Sequence, residues 1–408
     1  MTKLINNTNP CLLVAIDVAK SKHDILIEYQ NGSRKKLRIM NNLVDFNSLY
    51  ERMKKTKSDI VVGLKATGHY HRPIAYFLHS KGIEINLISS LAMAKTREAR
   101  YNSWDKNDPK DAQVILYMLK TGLTQTYHDP LVNKINDIQE LSNTYHQVSL
   151  RKTKLQHSIL THYLPLYFPE AQKYFHSTRA KWFADFFGAF ACPAAITKYS
   201  LEDFIEEAWK ISGRKVDKTN WLKDIYFTAS NSIGIPVKEQ DQAMEMFRLI
   251  LKEFSELCAR RNEVEKSAEQ YLEGNEDYHR IRTVPGIGSV IALTVLAEAG
   301  NLRRFGHYKQ FLKYCGFDLA TQQSGGFRGK TKLSKRGNGR LRQVFWMAAT
   351  IAIRMRENTF RKRYHNLIKD DPTNADMKRK AYVAVAIKMA RVVYSLIKNN
   401  TDYRCYYE

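Results

Sequence analysis

Four side chains stand in short patterns that could give them chemistry. Asp17 follows the apolar run Leu12-Leu13-Val14-Ala15-Ile16, which puts its carboxylate at the carboxyl end of a strand, where the sites of α/β layers gather. Asp108 and Asp111 stand in Lys106-Asn107-Asp108-Pro109-Lys110-Asp111-Ala112. A spacing of three on a helix turns both carboxylates to one side, and two or three carboxylates supply the oxygen ligands that Mg²⁺ requires. The same residues also spell an ordinary helix start, with Asp as N-cap, Pro in the first turn and an acid at the third position. Ser324, followed by Gly325 and Gly326, could attack phosphorus if its surroundings held a phosphate, although a Ser-Gly pair is also a common loop.

Such surroundings follow directly in the chain. Between Ser324 and Arg342 stand seven basic residues and no acid: Arg328, Lys330, Lys332, Lys335, Arg336, Arg340 and Arg342. A solvated charge run normally mixes signs, so a single-sign run with glycines that admit close backbone approach points to phosphate contacts. If all seven neutralise phosphates, log K should fall against log salt with a slope of about −6. Upstream, Val284-Pro285-Gly286-Ile287-Gly288-Ser289 reads as the hairpin of a helix-hairpin-helix. Backbone N–H groups at Gly286 and Gly288 and the helix start after them can hold a phosphate; an ordinary helix-helix turn is the alternative.

The acids need a layer to stand on, and residues 10 to 120 supply the pattern of one. Strands are expected at Leu12 to Ile16, Asp24 to Tyr29, Lys36 to Ile39, Ile60 to Leu64 and Ile83 to Ile88, with Asn31-Gly32 as a hairpin turn. Helices near Leu43 to Met53 and Pro73 to Ser80 complete a ribonuclease-H-like order of α/β type. From Leu131 the period becomes helical. Leu131, Ile135, Ile138, Leu141, Tyr145 and Val148, and later Ala243, Phe247, Ile250, Phe254 and Leu257, mark long amphipathic or coiled-coil helices that pair with each other or with a second subunit. The aromatics between them, among them Tyr174, Trp182, Phe183, Phe186 and Phe187, are read mostly as core, although aromatics interleaved with base could stack nucleobases. Ten of the 19 glycines fall between Gly286 and Gly339, so that region is rich in turns, and Met377 to Lys398 reads as a basic amphipathic helix.

Composition narrows the partners. The 408 residues carry 65 Lys plus Arg against 41 Asp plus Glu, a formal charge of +24, which favours a polyanion. With 44% hydrophobic and 11% aromatic residues, the chain is neither a disordered polycation nor a disulfide scaffold. No run approaches the roughly 18 apolar residues of a spanning helix, and the polar start Met1 to Asn7 does not read as a signal peptide, so no membrane partner is expected. Five scattered cysteines fit a reducing cytoplasm and argue against a structural zinc site.

In combination these motifs resemble the DEDD-type insertion-sequence transposases of the one-ten family, which includes the Piv-type DNA invertases. The resemblance rests on Val14 to Lys20, on Gly63-Leu64-Lys65-Ala66-Thr67-Gly68-His69-Tyr70, on Asn107 to Ala112, on Pro285 to Gly288, and on Gln323 to Gly326 followed by Ser334-Lys335-Arg336-Gly337-Asn338. It implies a RuvC-like domain over 1–128, a helical coiled-coil domain over 129–275, and a mostly helical transposase domain over 276–408. It further implies Mg²⁺ held by Asp17, Asp108 and Asp111, and Ser324 as the nucleophile, with Ser334 better suited to phosphate binding. The implied partners are double-stranded donor and target DNA and a structured bridge RNA, the implied assembly a homodimer building a tetramer, and the implied location the nucleoid.

One position departs from the family pattern. Where Gly-Leu-Glu-Ala-Thr-Gly is usual, this chain has Lys65. An ammonium in place of a carboxylate removes an oxygen ligand and changes the local charge by two units. Lys65 is expected to pair with Asp17 or Asp108, impairing Mg²⁺ binding and strand cleavage while nucleic-acid binding survives. A water-using RuvC-like nuclease and a non-catalytic nucleic-acid-binding chain are the other readings. Asp59, at the far end of its strand, is a poor substitute ligand.

Overall fold

The computed structural model describes residues 11–101, 108–212, 218–321, 323–324, 326–329, 331–356 and 358–405. They fall into two compact units, Met1–Ile135 and Asn136–Glu408.

In the first unit, the apolar run after Cys11 forms β1 (Leu12–Val18), buried on both faces. A strand so apolar belongs at the centre of a sheet with helices above and below. It pairs antiparallel with β2 (Lys22–Glu28), which pairs antiparallel with β3 (Arg34–Met40). At the Asn31-Gly32 turn, Gly32 takes φ +79° and Asn31 Oδ1 accepts from Ser33 N at 3.0 Å. After α1 (Leu43–Lys54), β4 (Ile60–Lys65) lies parallel to β1; after α2 (Arg72–Ser80), β5 (Glu84–Ile88) lies parallel to β4. Helices α3 (Ser90–Tyr101) and α4 (Asp108–Lys120) follow, then a two-residue edge strand β6 (Gln125–Thr126). The sheet order β3-β2-β1-β4-β5-β6 is the ribonuclease-H-like arrangement with β6 added at one edge.

Strand parity decides which residues meet α4. Leu12, Val14, Ile16 and Val18 share a core with Phe46, Leu49, Ile74 and Leu78 of α1 and α2. Leu13 and Ala15 share the opposite core with Met93 of α3 and Val114, Ile115, Met118 and Leu119 of α4. Asp17 continues the second series, and on β4 the matching series is Val61, Gly63 and Lys65. Gly63 is required there: a Cβ on it would lie 1.9 Å from Leu119 Cδ1 and 3.4 Å from Ile115 Cγ2. Its bare Cα lets α4 lie directly on the sheet.

The second unit has two cores. One holds Phe183, Phe186, Phe187, Phe204, Phe247 and Phe254, all fully buried, so most of the aromatic-dense region is packing. The helix Asn136–Ser158, continued by a π-helical turn Ile159–Tyr163, packs against the 30-residue helix Gln242–Tyr271. The two long helices thus pair within one chain. The other core gathers Ile138, Ala268 and Leu272 with the helices Ser289–Ala299, Gly339–Arg354 and Ala375–Asn399. Ala268 and Leu272, which precede residue 275, thus pack with the C-terminal helices. Among the described residues no helix is long and apolar enough to cross a membrane.

Filling the space at Gly63 should be costly. Gly63→Val is expected to destabilise the chain by about 1–3 kcal/mol through overpacking against α4, measured as a lower urea midpoint; an unchanged midpoint would show that Leu119 can move aside.

Candidate active site and nucleic-acid interface

Register brings two of the expected site residues side by side. Asp17 of β1 is the parallel-ladder partner of Lys65 of β4. Above them, the buried stripe of α4 runs Asp111, Ile115, Met118 and Leu119 at helical spacing, so the first member of an apolar face is an acid. Lys65 Nζ lies 3.2 Å from Asp17 Oδ1 and 3.1 Å from Asp111 Oδ2. Arg97, from α3, donates to the other oxygen of Asp111 at 2.5 Å. The Asp111 side chain is only 1% exposed and that of Lys65 17%. A carboxylate so buried stays charged only with partners, and here two cations balance two carboxylates. Asp108 opens α4, but its side chain lies outside the described residues.

The environment also holds Lys65 charged. Burial works against the ammonium, but Asp17 and Asp111 outweigh it, and the pKa is raised above the ordinary lysine value. The stability this contributes is complete at neutral pH and is lost only as pH climbs from the ordinary lysine value through the raised one.

These residues do not fit a divalent cation. Mg²⁺ needs several oxygens converging on one open position. Between Asp17 and Asp111 that position is taken by Nζ, which has donors and no acceptor, and Arg97 takes the remaining Asp111 oxygen. Among the described residues no group of three or more His, Cys, Asp and Glu is placed to hold a metal ion. Asp59 cannot stand in: its carbonyl accepts from Leu12 N at 2.7 Å, at the opposite end of β1 from Asp17. Arg97 went unnoticed in the sequence, where a lone arginine on α3 carries no spacing signal.

The serine and the basic run belong to the second unit. Two short ladders nest in sequence, Leu319–Ala320 with Lys332–Leu333, and Gln323–Ser324 with Phe327–Arg328. Ser324 is exposed and pairs with Phe327 across the inner ladder; Gly325 lies outside the described residues. The Ser334 to Asn338 turn is fixed from below. Gly337, at φ +141°, approaches so closely that a Cβ would meet Tyr314 O at 2.5 Å, Asn338 N donates to Tyr314 O at 2.7 Å, and Asn338 Oδ1 accepts from Leu341 N. Lys335 adopts left-handed φ +54°. Lys335 and Arg336 on this turn, and Lys332 on the ladder before it, remain exposed.

Other members of the expected interface have different work. Arg340 pairs with Glu298 at 2.6 Å and donates to Asn143 Oδ1, Ser142 O and Ser142 Oγ. Arg342 donates to the carbonyls of Cys315 and Lys335. Both guanidiniums hold segments of the chain together. Gly286, at φ +87°, lies against the helix Gly339–Arg354, where a Cβ would meet Ala348 O at 2.4 Å. Packing therefore explains that glycine. Gly288 is the N-cap of the helix Ser289–Ala299 with open space at its Cβ position, beside a cleft of about 500 Å³ whose walls carry Arg261 and Arg340 but also Glu265.

Without Arg340 and Arg342, five basic residues remain: Arg328, Lys330, Lys332, Lys335 and Arg336. The Arg328 side chain and Lys330 lie outside the described residues. Five phosphate contacts lower the expected slope of log K against log salt to about −4.5 on duplex DNA, readable by anisotropy titrations across salt; a slope near −6 would return the two arginines to the interface.

Comparison with known proteins bears on both parts. A DEDD transposase model of IS110 type matches residues 14–169, and a transposase model of the IS116/IS110/IS902 family matches residues 278–365. A family 20 transposase of Pseudomonas aeruginosa is 30% identical over 163 residues, which span 39% of this chain and 47% of that protein. The transposase for insertion sequence element IS1111A of Coxiella burnetii is 29% identical over 144 residues, 35% of this chain and 38% of that protein. The chain thus spans about half or less of the length of these two relatives. The mini-circle transposase for IS117 of Streptomyces coelicolor is 23% identical over 76% of this chain and 77% of its own length. T. thermophilus RuvC, solved in complex with a Holliday junction substrate, aligns with 29% of this chain at 6% identity and a TM-score of 0.21; the sheet order above, not that likeness, fixes the fold. Asp17, Lys65 and Asp111 lie inside the first matched stretch and Ser324 inside the second, and the chain belongs to the IS110 family of DEDD transposases.

Proposed function

We propose that the chain is a DNA transposase or site-specific recombinase of an insertion sequence, guided by a structured bridge RNA, with strand cleavage attenuated by Lys65. Family membership supports the reaction class. The observation that carries the attenuation is the Lys65 ammonium seated 3.2 Å and 3.1 Å from two carboxylates. With the ammonium between them, Asp17 and Asp111 would not share an oxygen-lined position for a Mg²⁺ that could polarise a scissile phosphate.

The binding half of the function rests on other residues. The exposed Lys335 and Arg336 of the turn, with Lys332 on the ladder before it, would take DNA or RNA phosphates as point charges and forks. Ser324 on the adjoining ladder would attack a phosphorus, forming an Oγ–P bond and releasing one strand oxygen. The covalent link conserves the phosphoester for rejoining. A homodimer assembling to a tetramer would bring donor and target together.

A second reading is favoured by the same cluster: a chain that binds nucleic acid without turnover, because Lys65 leaves both units folded and the basic turn intact.

Cleavage of supercoiled DNA, with covalent protein-DNA adduct scored on denaturing gels, tests the proposal. Lys65→Glu in Mg²⁺ is expected to raise adduct at least tenfold over the unvaried chain, and Ser324→Ala in that background to abolish it. Equal Mg²⁺-dependent cleavage by the unvaried chain and Lys65→Glu would refute the attenuation. Adduct unchanged by Ser324→Ala would move the nucleophile elsewhere, and product without adduct would indicate water.

A further inference from the structure

The middle helices carry a cleft that neither the acid cluster nor the basic turn uses. Its volume is about 860 Å³, within the roughly 300–1,000 Å³ of small-ligand sites. Tyr174, Trp182 and Trp221 line it together with His176, Arg179 and Lys218, and no acidic side chain is among its described lining residues.

The rings are held from behind. Trp182 stacks on Phe186, one helical turn on, at 5.0 Å and 28°, and Phe186 is fully buried. Trp221 meets Trp182 edgewise at 4.8 Å and 65°, and Tyr174 meets Trp221 at 5.5 Å and 78°. The Tyr174 hydroxyl donates to Asp224 Oδ2 at 2.6 Å, and Lys173 pairs with the same carboxylate at 3.1 Å. Yet all three rings remain half-buried while Phe183, Phe186 and Phe187 beside them are closed off completely. The three rings pack against the core and keep part of their surface open to the cleft.

Fixed aromatic surface beside Arg179 and Lys218, with no acid among the described lining residues, suits a ligand that is both planar and anionic. A nucleotide is such a ligand: its base stacks on the rings and its phosphate meets Arg179 and Lys218. A duplex keeps its bases stacked inside, so the cleft requires a nucleotide that is unpaired. We infer that this cleft binds one or two unpaired nucleotides of a single strand, a contact separate from the basic turn around Lys335. The inference rests on the nucleic-acid reading above and deepens it.

Anisotropy titrations of the full chain would use labelled single strands of about ten nucleotides, one DNA and one RNA, with the same DNA as a duplex. Arg179 is exposed and Lys218 only half-buried, so Arg179→Ala/Lys218→Ala should keep the unfolding midpoint. The expected result is a loss of about tenfold or more in single-strand affinity with duplex affinity unchanged, and loss of the strand-induced tryptophan quench in Trp182→Leu. Whichever strand shows the loss identifies its source as RNA or DNA. Single-strand affinity unchanged in the double variant, or an equal quench by free AMP, would overturn the inference while leaving the functional reading intact. Failure of the unvaried chain to bind either strand or duplex would overturn both.

Discussion

The first unit is organised around one ammonium group held between two carboxylates. Lys65 ends β4 where Asp17 ends β1, and Asp111 closes over them from α4. Remove the positive charge and Asp17 and the fully enclosed Asp111 both lose their shared ammonium, with Arg97 still on Asp111, a loss that typically costs about 3–5 kcal/mol when the pair is buried. The interaction therefore has a structural role whatever the chemistry of the site. It also defines that chemistry, since the position that would suit a doubly charged ion is taken by a group bearing one charge and no lone pair.

The geometry follows from simple constraints. Alternation along β1 and β4 sends Asp17 and Lys65 to the α4 face, the parallel register makes them neighbours, and the absent side chain at Gly63 lets α4 settle close enough for Asp111 to reach Lys65. In the second unit the same economy applies to basic residues. Arg340 and Arg342 join segments distant in sequence, while Lys332, Lys335 and Arg336 on the turn between them and the serine stay exposed. Basicity in this stretch thus has two uses, one inside the protein and one facing solvent.

Much of this was legible in the sequence. Alternating apolar runs, the Asn31-Gly32 turn and the order of strands and helices were enough for the sheet, because each is a local signal with a short period. The departure at Lys65 was visible against the family motif, and pairing with Asp17 was expected; its second partner is Asp111, with the Asp108 side chain outside the described residues. Arg97 was not legible, since its pairing depends on how α3 packs beside α4. The internal contacts of Gly286 and Arg340 were hidden for the same reason: a glycine pressed against a helix and an arginine bonded to Glu298, Asn143 and Ser142 look locally like phosphate-binding residues. The middle aromatics were read correctly as mostly core, but the exposed rims of Trp182 and Trp221 emerge only from tertiary packing. That Ala268 and Leu272 pack into the C-terminal core likewise depends on contacts distant in sequence.

Whether the ammonium replaces a metal ion can be measured without any reaction. Electron paramagnetic resonance of Mn²⁺ added to the full chain reports bound ions directly. A site filled by Lys65 predicts the signal of free aqueous Mn²⁺ for the unvaried chain and a stoichiometric bound ion for Lys65→Glu. A bound ion in the unvaried chain that disappears in Asp111→Asn would contradict it.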